Sequence, residues 1–108
     1  MDNQKRLKKL KEKEYQKYFG VNKTTFDKMF EILEEEDRYK RRKGGRPSVL
    51  SVLDKLVIML QYYREYRTMD NIAFDYETNK STVYYAIKWA EETLRACSVS
   101  FQSKKKVV

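Results

Sequence analysis

Histidine is absent from this 108-residue sequence, and cysteine and proline occur once each. Without an imidazole there is no Ser-His-Asp triad, no H-E-x-x-H zinc site and no histidine acid-base chemistry. Cys97 stands alone, so neither an internal disulfide nor a multi-thiolate metal site can form, which fits a reducing compartment. Three glycines are too few for a phosphate-cradling loop, and neither G-x-x-x-x-G-K nor G-x-G-x-x-G occurs. The longest unbroken apolar run is Leu56 to Leu60, well short of the roughly 20 residues a membrane span needs. Nor does a signal-like apolar stretch follow the charged N-terminus. These absences point to an intracellular binding protein with no cofactor, no metal and no membrane partner.

What the sequence does have is positive charge, a net +8 on 13.1 kDa, which favours a polyanionic partner. The charge lies in blocks. Residues 1–20 carry a net +4, residues 21–37 a net −4, and residues 38–47 hold six bases and no acid. Neutralising phosphates needs several cations within reach of one backbone, whereas scattered cations serve mainly solubility. The stretch from Arg38 to Arg46 is therefore the foremost basic element.

A hydrophobic fraction of 41% is enough for one modest core, and its spacing is helical. Residues 5–19 read as a basic helix with Leu7, Leu10, Tyr15, Tyr18 and Phe19 on one side, stopped by Gly20. Asn22 caps a second helix in which Phe26, Met29, Phe30 and Leu33 recur at i, i+3, i+4 and i+7, with Glu34 to Asp37 as a solvated outer face. Gly44, Gly45 and Pro47 break the chain. Ser51 and Asp54 then form a capping box before an apolar central helix. Thr68 caps a short helix carrying Met69, Ile72, Ala73 and Tyr76. Asn79 caps a last one whose stripe is Val83, Ala86, Ile87, Ala90, Leu94 and a buried Cys97. Phe74, Tyr62, Tyr66 and Trp89 read as packing residues. No segment alternates with period two. The expectation is an all-α fold of about five helices, a helix-turn-helix bundle without a wing, homeodomain-like or Trp-repressor-like. It divides into N-terminal helices (1–43), a helix-turn-helix domain (44–98) and a basic tail (99–108).

Function is best read from the last two helices and their connection, Glu77-Thr78-Asn79. In a helix-turn-helix, a small residue on the first helix admits the second, and apolar residues about ten and thirteen positions later lock the crossing. Ala73, Val83 and Ala86 have that spacing. At 100° per residue Ser81, Tyr85 and Lys88 then point outward, Tyr84 flanks them, and Asn79 and Lys80 open the helix. Lysine and asparagine can meet base edges or phosphates, hydroxyls can hold the backbone, and tyrosine rings can touch thymine methyls. One departure is Glu77, a carboxylate where such turns often carry glycine. The second binding element is the stretch Arg41-Arg42-Lys43-Gly44-Gly45-Arg46-Pro47-Ser48, read as a slim cationic loop whose Arg46 can enter a narrow minor groove. A solvated connecting loop is the other reading of it. The partner expected from both elements is double-stranded DNA, held through adjacent grooves.

The residues Gly45-Arg46-Pro47-Ser48, Leu50-Ser51, Tyr66-Arg67-Thr68-Met69, Ile72-Ala73, Tyr76, Lys80-Ser81-Thr82-Val83 and Ile87 resemble the N-terminal helix-turn-helix region of bacterial insertion-sequence transposases of the DDE class. The likeness covers about residues 17–97. It implies binding to the terminal inverted repeats of a mobile element in the bacterial cytoplasm, at the nucleoid. In that family a separate ribonuclease-H-like domain with three acids and divalent metal performs the chemistry. By the same likeness the chain is not itself an enzyme, and that second domain is expected to be absent. The tail from Phe101, with Lys104 to Lys106, resembles the end of a first reading frame. Two further readings stay open: an oligomerising or inhibitory module that pairs with itself or with a transposase catalytic subunit, and a stand-alone transcription regulator.

Overall fold

The computed structural model describes residues 3–42, 44, 50–65 and 68–97, with Arg41 and Glu65 described by their backbone alone. Among these residues there are six α-helices and no strand: α1 (Asn3–Lys8), α2 (Glu12–Phe19), α3 (Lys23–Arg42), α4 (Val52–Glu65), α5 (Met69–Asp75) and α6 (Lys80–Ala96). The chain is all-α, as its periodicity implies.

The anticipated basic helix over 5–19 is two helices. After Lys8 the chain tightens, with Lys9 N–H bonded to Arg6 C=O and Leu10 N–H to Leu7 C=O. It restarts at Lys11, whose N–H donates to the Glu14 carboxylate at 2.9 Å. The bend lets Leu7 and Leu10 pack against the core that Tyr15 and Phe19 share. Gly20 ends α2 at φ 76°, its N–H returning to Gln16 C=O, the left-handed stop that glycine makes without strain. Asn22 caps α3 by accepting from Thr25 N–H at 2.8 Å.

A second difference is the length of α3, which continues to Arg42 through residues expected in a cationic loop. Nothing between Glu34 and Arg42 breaks a helix. The acids at 34, 36 and 37 stand four residues before the bases at 38, 40 and 41, the favourable order for side-chain pairs and for the helix dipole. Gly44, the next described residue beyond it, is left-handed at φ 81°.

The capping box of α4 forms as the sequence implies, Asp54 N–H donating to Ser51 Oγ at 3.1 Å and Ser51 N–H to Asp54 Oδ2 at 3.4 Å. From there Leu56 to Leu60 lie wholly inside. The central helix packs against α1, α2, α3 and α6, so one core is shared by the N-terminal helices and the C-terminal three. Met29, Leu33, Leu56, Val57, Ile58, Met59, Ile72, Val83 and Leu94 are its largest fully buried members.

Three polar ties that the sequence does not advertise cross this core. The buried amide of Asn3 donates to Asp54 Oδ1 at 2.9 Å and to the Tyr76 hydroxyl at 2.8 Å, pinning α1 to the start of α4 and the end of α5. The hydroxyl of Tyr63 on α4 donates to the buried Glu91 carboxylate on α6, whose other oxygen is paired by Arg95. Burial first, and then the Glu91 carboxylate, hold the Tyr63 phenol well above its ordinary pKa of 10.0. The native state thus keeps a proton that the unfolded chain releases near pH 10. The Tyr63 contribution to stability is full below that pH and is lost as the solution becomes more alkaline. In urea titrations across pH 9 to 11 the wild type should lose more stability than Tyr63→Phe, which is weaker at neutral pH but has a flatter alkaline limb. Equal slopes would show that the phenol is not held this way.

Two expected core residues are surface residues. Phe74 is 84% exposed, because α5 has seven residues and turns only Ile72 and Ala73 fully inward. Cys97 is exposed because the apolar stripe of α6 ends at Leu94, and Cys97 already caps the helix with φ −94°. Tyr62 and Trp89 are half-buried packing residues, as expected, whereas Tyr66 lies outside the described residues.

Candidate nucleic-acid interface

The two helices α5 and α6 are joined by a turn of specific geometry. Thr78 N–H reaches back to Ala73 C=O at 2.9 Å and Glu77 N–H to Phe74 C=O at 3.2 Å, the paired bonds of a Schellman stop. Glu77 takes the left-handed position at φ 53°, the one non-glycine residue among those described with positive φ. The sequence departure is thereby located. The turn keeps the geometry that glycine usually supplies, and glutamate bears a backbone strain of about 1 kcal/mol there.

Beyond the turn Asn79 caps α6, its Oδ1 accepting from Thr82 N–H at 2.8 Å and from Thr82 Oγ1 at 3.0 Å. The cap engages the oxygen of this side chain and leaves its NH2 as the group able to donate elsewhere. Ala73, Val83 and Ala86 are buried together where α5 and α6 pack, which is the small-residue crossing anticipated from their spacing.

With that side clamped, the opposite side of α6 meets solvent. Asn79, Lys80, Ser81, Tyr84, Tyr85 and Lys88 are all exposed, Tyr85 at 65% and Tyr84 at 45%. The two tyrosine rings stand edge to face, centroids 5.3 Å apart, so each limits the rotamers of the other. Further along, Glu91 is turned into the core and bonded, which removes its charge from this face, and Glu92 is exposed.

Of the second binding element only part can be placed. Arg42 is exposed at the last turn of α3, and Arg41 is helical. Lys43 and Arg46 lie outside the described residues, as does the tail from residue 98. The two ends of the connection, however, are fixed relative to α6. Lys40 near the end of α3 and Lys55 near the start of α4 both lie over the ring of Trp89, their Nζ atoms 5.3 and 4.7 Å from its centroid. Trp89 is one helical turn beyond Tyr85, so the Lys40 and Lys55 side chains of α3 and α4 lie beside the exposed side of α6. Sequence reasoning did not find this arrangement. The only available signal was a lone tryptophan on a helix, and nothing local says which lysines will reach it.

Among the described residues no group of three or more potential metal ligands comes together, and no helix is long and apolar enough to cross a membrane.

A family model described as the helix-turn-helix of DDE superfamily endonuclease matches residues 48–100. Over 89 residues, 82% of its length, the chain is 28% identical to the probable transposase for insertion sequence element IS702 from Microchaete diplosiphon. It spans 32% of that protein. No solved structure matches the chain. The match covers a helix-turn-helix and no catalytic domain, and it falls on the same α5-turn-α6 unit that the Schellman turn, the Ala73 crossing and the Asn79 cap define. Residues 48–100 thus match the helix-turn-helix of DDE superfamily endonuclease, in a chain similar over most of its length to a probable insertion-sequence transposase.

Proposed function

We propose that this chain binds double-stranded DNA sequence-specifically, as the DNA-binding part of a transposase, at the terminal inverted repeats of its mobile element. The single observation that carries this reading is the outward row Ser81, Tyr84, Tyr85 and Lys88 on a helix whose other side is locked into the core. Such a helix can enter a major groove as a rigid body, with its capped N-terminus and Lys80 at the phosphates. Lys88 and Tyr85 read bases, Asn79 donates through its NH2, and Arg41, Arg42, Lys43 and Arg46 add phosphate or minor-groove contacts from the neighbouring segment. The blocked distribution of the +8 charge supports the same partner.

The test compares two labelled duplexes, one taken from the inverted repeats flanking the coding frame and one of random sequence. Wild type should prefer the first. Lys88→Ala and Tyr85→Ala should each reduce that preference by about 1 to 3 kcal/mol. Equal losses on both duplexes would assign these side chains to phosphate contact instead, and no preference in the wild type would refute sequence-specific binding.

A further inference from the structure

Lys40, Lys55 and Trp89 come from three different helices, and packing alone does not require two ammonium groups at one aromatic ring. Lys40 is exposed, Lys55 and Trp89 are half-buried, and the ring is the shared support of both cations at 5.3 and 4.7 Å. A ring face attracts an ammonium without neutralising its charge. Trp89 follows Tyr85 by four residues, which places it about 40° further round α6 and one turn along. The pair therefore borders the exposed row on one flank. On its other side a groove of about 350 Å3 running from Trp89 toward the end of α6 is lined by Lys40 itself and by Glu36 and Glu92, together with Thr93, Ala96 and Cys97. The two carboxylates disfavour a phosphate chain in that groove, so a polyanion meets the cations with less repulsion on the Tyr85 side.

We propose that Lys40 and Lys55, held across Trp89, are a phosphate-backbone contact that grips one DNA strand beside the groove entered by α6. Glu36 and Glu92 mark the side that this strand avoids. The contact rests on the DNA-binding reading above and adds to it a site for the backbone, formed by side chains of α3 and α4. Phosphate contacts carry no base information, so its signature is a salt-dependent affinity common to every duplex. It also has an optical signature, because Trp89 is the chain's only tryptophan and its ring touches both groups that move to the phosphates.

The experiment titrates the full chain with a random-sequence duplex at several salt concentrations, following affinity by anisotropy and Trp89 emission in parallel. Lys40→Gln and Lys55→Gln should each make the log affinity against log salt line shallower by about one unit, and the double variant by about two. Preference for the repeat duplex should persist. The emission change seen when wild type binds should be lost in the double variant. Lys28→Gln, on an exposed position of α3 nearer its start, is the control and should leave slope and emission change intact. Unchanged duplex affinity in the double variant would overturn the contact while leaving the DNA-binding reading in place. A slope loss in Lys28→Gln equal to that of the pair would overturn it as well, showing a general charge effect. Failure of the wild type to bind any duplex would overturn the underlying reading and the contact together.

Discussion

Truncating Ile72 to alanine should destabilise the chain by about 2 to 5 kcal/mol in urea unfolding, a large part of the roughly 5 to 15 kcal/mol available to a domain of this size. The reason is the shortness of α5. Its seven residues turn two fully buried side chains inward, Ile72 and Ala73, and alanine already occupies the second. With Ile72 reduced to a methyl group, α5 would lose its only fully buried large side chain and be held by Met69, Ala73 and Tyr76. Phe74, two positions on and 84% exposed, is the internal comparison. Phe74→Ala should change stability by no more than about 0.5 kcal/mol despite removing a larger side chain. The reverse ranking would mean that α5 is rotated and that Ala73 does not face α6. Because the turn from α5 sets the start of α6, Ile72→Ala should also blur discrimination between duplexes at temperatures where the fold survives, although Ile72 meets no DNA.

The second large effect is electrostatic. With about six phosphates neutralised, log affinity should fall with log salt at a slope near −5, a loss of order 1,000-fold between 50 and 200 mM salt. The proposed phosphate contacts on that scale are Lys80 at the start of α6, Lys40 and Lys55 beside Trp89, Arg42 at the end of α3, and the basic residues of the segment that follows it. Fluorescence anisotropy on one duplex across that salt range measures the slope directly. A flat response would remove the cationic surface from the mechanism, and with it the proposal that the basic blocks are there for DNA.

Much of the local architecture is legible residue by residue, because it depends on neighbours in sequence. Asn22, Ser51, Thr68 and Asn79 cap helices where their side-chain oxygens precede an apolar periodic stretch, and each accepts the expected backbone N–H. Val83, Ala86, Ile87, Ala90 and Leu94 are buried because a 3.6-residue period puts them on one side. The misreadings share a cause. Cys97 continues the period past Leu94, the last buried residue of the stripe, Phe74 sits on a helix too short to bury a second side, and Arg41 and Arg42 look like part of a loop only when helix propensity is outweighed by charge.

By itself, then, the chain's residue order settles all-helical material, an inward stripe on α6 and an outward row from Asn79 to Lys88, since caps and periodicity act within a few residues, whereas the division of residues 3–19 into α1 and α2 is not legible there. Folding in three dimensions decides that Asn3 bonds to Tyr76, that Tyr63 holds Glu91, and that Lys40 and Lys55 converge on Trp89. It also drives Glu77 into a conformation its side chain disfavours. Each depends on how packed helices cross. Crossing geometry is set by the summed burial of the whole core, so no short window of sequence contains it.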